Sequence, residues 1–443
     1  MKTKYAFFML LLMAFSLLAC VSTGGGSYQP SPMEQEIYTA VMQGNLNRTK
    51  QLLDSGASPN SRGVSTDTIL HLAAANNYSD IIKLLIDNNA DVNLTNRDDL
   101  GPLALAKKPA AVKLLLEAGA NSLYVSRIKN MTPFELWSFL AFPASEAEKK
   151  AVIDDAKAYG YSVNAADMEA RLWLNKNDLV ETVKLYQKAG YDINKAHNSN
   201  KQTPLVIAAA EDNYALINIL VDAGAKADIK DAYNDEALNI ITRNSQSKHT
   251  IEEYSATLKA LLKGGADING TDHASNTPLC NAASIGHLPR VRTLLATTGI
   301  NVNATGRDGL SALAQSESLD IAKALVAAKI NIESKDRFGS TPLFNILNAE
   351  VVSYLLKQGS NANHLNDYKQ NILVHNMLAA WAEFKIKTNP EELDEKYYKK
   401  FETLIAAKID VNYKAPDGET ALELAARSHL VKIPALLKKA GAK

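Results

Sequence analysis

The residues of this chain that could do chemistry are two cysteines, eight histidines and a few pairs of adjacent acids. Cys20 ends an apolar leader, a position suited to covalent modification rather than catalysis. Cys280 follows Leu279 on a predicted helix and reads as a small buried residue, not a reactive thiol. With Cys20 modified, no internal disulfide can form. The histidines are scattered, none sits at a metal-ligand spacing from another ligand type, and no His-Glu-x-x-His occurs, so no metal site is assigned. The pairs Asp154-Asp155, Glu252-Glu253 and Glu391-Glu392 could in principle serve as acid and base. The last two fall in the first turns of predicted helices, where carboxylates favour the helix dipole, and the first lies on a charged helix face. Gly24-Gly25-Gly26 follows no strand and opens no helix, and no Gly-x-Ser-x-Gly turn is present. No cofactor and no small-molecule substrate are expected. Lys plus Arg equal Asp plus Glu at 48 each, so nothing favours nucleic acid as a partner.

What must position these residues is a repeat. From Thr277 the chain reads Thr277-Pro278-Leu279-Cys280-Asn281-Ala282-Ala283, then Val291 to Leu295, then Gly299-Ile300-Asn301-Val302-Asn303. Variants recur from about Glu34 to Lys443 at a period of roughly 30 to 34 residues, the mark of a solenoid. Opening signatures are Thr132-Pro133-Phe134, Thr203-Pro204-Leu205, Thr277-Pro278-Leu279 and Thr341-Pro342-Leu343, with weaker copies at Thr68, Ser311 and Thr420. The Thr can cap the coming helix, and Pro is tolerated in its first turn. Closing signatures such as Gly265-Ala266-Asp267-Ile268-Asn269 and Gly359-Ser360-Asn361-Ala362-Asn363 place Gly at a left-handed helix end. About twelve repeats are counted, with Gly160 to Asn164 closing one of them.

This ordered set resembles the ankyrin repeat over nearly all of the chain after the leader. The resemblance implies an all-α solenoid of paired antiparallel helices, joined by hairpin-like fingers. Turns at the fingers would want a positive φ at Asn130, Asn234, Gly309, Gly339 and Gly418. It also implies that His71, fourth in its opening signature, makes hydrogen bonds between repeats; His287 reads as structural too. Tyr233, Phe338 and Tyr368 fall at finger tips by register and Tyr413 begins a finger, so these aromatics are the surface candidates for a protein contact. Arg307, Arg337 and Lys369 are their charged neighbours. Trp137, Trp173 and Trp381 lie on first helices, where core packing is expected.

Three repeats, starting at Gly101, Ser311 and Thr341, lack about three residues, and the loss is placed at the helix–helix turn, with tighter or partly 3₁₀ turns expected there. Three others are long, near 142–158, 245–263 and 386–408. Each insertion ends on a helix-start signal: Ser145 with Glu148, Thr250 with Glu253, and Asn389 before Pro390. Lengthened helices are expected rather than loops. Asn164 to Arg171 lacks an opening signature, and the array can bend or split there. The chain therefore divides into 1–19, 20–32, 33–164 and 165–443.

Lys2 and Lys4 precede an apolar run from Ala6 to Leu18, too short for a transmembrane helix of about 20 residues. With Leu17-Leu18-Ala19-Cys20 it resembles a bacterial lipoprotein signal, which implies lipid on Cys20 and a membrane partner through that lipid. Val21 to Pro32 reads as a flexible tether. Val21 after the Cys resembles enterobacterial sorting to the outer membrane, facing the periplasm. The function expected is a non-enzymatic scaffold that binds a protein partner in the cell envelope. An inhibitor or an immunity protein masking a secreted toxin is the alternative, and an enzyme using the inserts around Ser145, Thr250 or Asn389 is a third reading.

Overall fold

A computed structural model describes residues 30–63, 66–140, 174–386 and 389–443. These residues form helices and turns; the backbone pairings outside helices are isolated bridges, such as Thr305 with Ser311 and Lys414 with Thr420. They divide into two compact units. The first runs to Ala232 and takes in Lys263–Gly265; the second comprises Tyr233–Leu262 and Ala266–Lys443. The boundary expected at 164/165 lies outside the described residues.

The first unit holds α1 (Pro32–Met42), α2 (Leu46–Asp54), α3 (Ile69–Ala75), α4 (Ser79–Asp87), α5 (Pro102–Leu105), α6 (Pro109–Glu117), α7 (Pro133–Leu140), α8 (Lys176–Lys188), α9 (Pro204–Ala210) and α10 (Tyr214–Asp222). Odd-numbered helices through α7 stack on one another as an inner row that continues to α9; α2, α4, α6, α8 and α10 stack as an outer row. The second unit holds α11 (Ala237–Arg243), α12 (Ile251–Lys263, all but its last residue), α13 (Pro278–Ser284), α14 (Leu288–Leu295), α15 (Leu319–Ala327), α16 (Pro342–Asn345), α17 (Ala349–Lys357), α18 (Ile372–Lys385), α19 (Pro390–Ala406), α20 (Ala421–Arg427) and α21 (Lys432–Lys439). Buried Leu, Ile, Val and Ala line the faces between the rows, for example Ile81, Ile82 and Leu85 on α4 and Val351, Val352 and Leu355 on α17.

The opening signatures work as expected. Thr203 and Thr277 accept hydrogen bonds from the N–H groups of Val206 and Cys280, with Pro in the first turn. The closing glycines, Gly56, Gly119, Gly190, Gly224, Gly265, Gly299 and Gly359, all have positive φ, and so do the five finger residues predicted to need it. Lys329 and Lys408 occupy the closing position at φ 64° and 60°. A left-handed L-residue costs about 1–2 kcal/mol, which a glycine avoids while losing more chain entropy. Lys329→Gly is therefore expected to raise stability by about 0.5–1 kcal/mol, read as a higher denaturation midpoint at unchanged slope.

The Asn that ends many of the closing signatures has a physical reason not apparent from sequence. Asn269 Nδ2 donates to the Gly299 carbonyl (2.9 Å), and its Oδ1 accepts from the Asn301 N–H (2.8 Å). Asn93, Asn194 and Asn412 make the same pair of bonds to the repeat that follows. These four repeats thus clamp the left-handed helix end of the repeat that follows.

Two expectations need correction. First, α7 and α8 make a single pair. Phe134 on α7 packs on Tyr186 of α8 (4.6 Å between ring centroids), α6 stacks on α8, and α7 stacks on α9. With α7 and α8 as the inner and outer helices of one repeat, the described residues form eleven repeats. The closing-like Gly160 to Asn164, the helix start at Ser145, Asp154-Asp155 and Trp173 lie outside the described residues. Second, the short repeats lose their residues from the inner helix. α5 and α16 are single turns, and in the repeat opening at Ser311 the inner helix is replaced by turns at Ala312 to Gln315. The 3₁₀ segment lies at Arg307–Gly309, in a finger.

A side chain from the preceding repeat closes the gap left by the missing turn. Asn77 Oδ1 accepts from the N–H groups of Lys107 and Lys108 at the start of α6. Glu317 accepts from those of Leu347 and Asn348 at the start of α17. The inserts at 245–263 and 386–408 are lengthened helices, as expected: Thr250 and Glu253 form a reciprocal cap, and Asn389 caps α19.

Candidate functional site

The candidate contact surface is a row of finger tips in the second unit. The finger at Arg307–Gly309 and those before α16 and α18 are joined through their backbones, and the finger before α20 is tied on by a side chain. Arg337 N–H donates to the Asp308 carbonyl (2.8 Å), and Asp367 N–H to that of Phe338 (3.0 Å). The Tyr413 hydroxyl donates to the Lys369 carbonyl. This close approach needs Gly339. A Cβ there would lie 2.3 Å from the Asp367 carboxylate, and its φ is +73°.

The ring of Phe338 lies 6.1 Å from that of Tyr368. The Arg337 guanidinium sits over Phe338, 4.5 Å from the centroid, and is held by Asp308 at 2.8 Å. Arg307 flanks the same carboxylate at 3.5 Å. Tyr368 is 58% exposed, so the row presents one exposed ring beside a half-buried one, with cations at the edge. Tyr233 is also 60% exposed but stands at the first residue of the second unit, away from this row. Tyr413 is half-buried and tied to Lys369, so it supports the row more than it projects from it.

Other candidates resolve as structural. His71 Nε2 lies 2.8 Å from the Leu100 carbonyl of the next repeat and Nδ1 3.1 Å from the Thr68 N–H, as the resemblance implied. Burial pushes its pKa down, against the Leu100 bond, which favours the neutral ring. His287 caps α14 through the Arg290 N–H. Cys280 is buried, its pKa raised by burial. Trp137 is buried and donates to the Lys107 carbonyl. Trp381 departs from the expectation: it is half-buried on the lengthened end of α18, with Lys385 (3.5 Å) and Arg427 (5.4 Å) against its ring. The extra turns carry it past the inner row.

Asp235, Asp272 and His273 bring three potential metal ligands together. The Arg243 guanidinium lies against these carboxylates, with Nη1 and Nη2 each 2.7 Å from an Asp235 oxygen and Nη1 3.7 Å from Asp272. Burial would raise the pKa of Asp235, but Arg243 and His273 donors outweigh it and hold it low. Arg243 thus pairs directly with the Asp235 carboxylate at the centre of this group.

A family model for ankyrin repeats, in three copies, matches residues 37–124 and 249–336. The chain is built of ankyrin repeats. It is 28% identical over 172 residues to the ankyrin repeat protein YahD of Escherichia coli (strain K12), covering 37% of this chain and 81% of that protein. It is 30% identical over 115 residues to an ankyrin repeat protein of Rickettsia bellii, 20% of this chain and 48% of that one. It is 24% identical over 373 residues to the ankyrin repeat and KH domain-containing protein mask-1 of Caenorhabditis elegans, 71% of this chain but 14% of that protein. Ankyrin arrays are generally non-enzymatic scaffolds for protein–protein interaction. No helix among the described residues is long and apolar enough to cross a membrane.

Proposed function

We propose that this ankyrin chain is a scaffold tethered by lipid at Cys20 in a bacterial envelope, in the outer membrane facing the periplasm, where it holds a protein partner through the finger row. The observation that carries the binding reading is the Arg337–Phe338–Tyr368 array. An exposed tyrosine, tilted against a second ring and edged by arginines, has the composition of an interface anchor. The array sits on tips whose backbones are braced against one another, so little order has to be gained on binding. The tether reading rests on the apolar leader and Cys20.

Phe338→Ala combined with Tyr368→Ala is expected to leave the melting curve nearly unchanged and to weaken capture of the partner from its own envelope by at least about tenfold. A well-folded double mutant that captures as well as wild type sinks the finger-row reading. For the tether, Cys20→Ser is expected to abolish palmitate labelling and membrane fractionation; a wild-type chain that takes no label removes that part.

A further inference from the structure

Lys400, on α19, is fully buried. Its Nζ donates to the Phe344 carbonyl at 2.9 Å. The same carbonyl accepts from Asn376 Nδ2 of α18 at 3.0 Å. Phe344 lies in single-turn α16, so the carbonyl is one that a normal second turn would have used. The ninth repeat is short and the tenth is long, and the long helix fills the vacancy with an amine. α16, α18 and α19 are thus joined at one oxygen. The finger carrying Phe338 leads into α16, and the finger carrying Tyr368 leads into α18.

The groups that bear electrically on Lys400 are few. Glu317, ahead of α15, favours its charge, while Lys400 itself disfavours the charge on His375 of α18; Asp336 acts in turn on His375. Glu383 of α18 is taken up by Lys396 and Tyr397. The helices packed on α19 from the outer row, α17 and α21, bury apolar residues and keep Glu350, Lys357, Lys432, Lys438 and Lys439 exposed. A charged amine here has one carbonyl for three N–H groups, whereas a neutral amine keeps that bond without the cost of a buried charge.

We propose that proton uptake by Lys400 loosens the joint of α16, α18 and α19, and with it the placement of the Phe338–Tyr368 pair, making the finger row responsive to pH. The link to partner binding rests on the proposed function; the loosening of the joint does not. Burial holds the Lys400 pKa down to about 7, against about 10.4 in an opened or unfolded chain. A depressed lysine leaves the joint at full strength above the open-state value. Strength falls as pH falls between the two values and levels off below the folded one.

Hydrogen exchange of the full chain, corrected for intrinsic rates, tests this. In wild type, opening of residues 342–346, 372–377 and 397–404 is expected to rise about tenfold per unit as pH falls from 9 to 7.5, then flatten below about 7. Lys400→Met and Lys400→Gln, the latter keeping a donor for Phe344, are both expected to remove that slope. A slope retained in either folded variant, or an equal slope at α9 and α10, overturns the proposal. Partner capture across the same pH range then reads the second part. If the slope appears but the finger double mutant still captures, the finger-row reading fails and the pH-sensitive joint stands.

Discussion

Asp394→Ala is expected to detach the last repeat at a cost of about 3 kcal/mol, because it leaves one buried and two part-buried N–H groups without their acceptor. Asp394 is 2% exposed on α19. Its Oδ2 accepts from the N–H groups of Val431 (2.7 Å) and Lys432 (3.0 Å), and its Oδ1 from that of Ile433 (3.0 Å). These are the free donors at the start of α21, and Val431 supplies no side-chain cap of its own. The carboxylate also sits at the positive end of the helix dipole. The loss should appear as rapid hydrogen exchange and early proteolysis across residues 421–443, while α13 to α17 keep their protection. Unchanged protection of α21 would show that it is held by packing of Ile433 and Leu437 alone.

The second large effect is expected at Glu135, which is buried on α7. Its Oε2 accepts from the Thr132 N–H (2.8 Å) and hydroxyl (3.1 Å), and its Oε1 from the His197 N–H (2.9 Å) at the entry to the next repeat. The Tyr191 hydroxyl closes the group, 3.2 Å from Thr132 Oγ1. Removing the carboxylate strands three donors beside fully buried Thr132, and about 3 kcal/mol should be lost in Glu135→Ala. Glu135→Gln keeps one acceptor oxygen and is expected to lose about half as much. Denaturation followed by Trp137, buried beside Phe134 on the same helix, reads the change. Equal midpoints for the Ala and Gln variants would mean that the lost bonds are not the cause.

The fold was visible in sequence wherever a residue acts on its own neighbours. Thr at a cap, Pro in a first turn and Gly at a left-handed end all work within a few positions, so Thr277, Pro278 and Gly299 announce the helices around them. What escaped acts across repeats. Asn77, Glu317 and Asp394 cap helices some thirty or more residues away, and no local spacing marks an Asn or Glu for that task. Lys400 lies in a charged stretch, Lys396 to Glu402, that reads as a solvated face. Only the missing turn of α16 turns it inward. The repeat end read at Gly160 to Asn164 lies outside the described residues. At the finger row, register placed Phe338, Tyr368 and Arg337 together correctly. It could not foresee that the Tyr413 hydroxyl is spent on a backbone carbonyl.

The borrowed caps bear on how such a chain can change over generations. Repeat arrays lengthen and shorten by duplicating or losing whole repeats, which is tolerated when every copy offers the same surface to those on either side. The last three copies here do not meet that condition. Excising the tenth would take away both the amine that completes the ninth and the carboxylate that starts the eleventh. These three copies can be inherited, transplanted or lost only as a block, whereas Gly265 to Asn303, held by the ordinary clamp of Asn269, is the kind of stretch that recombination can exchange.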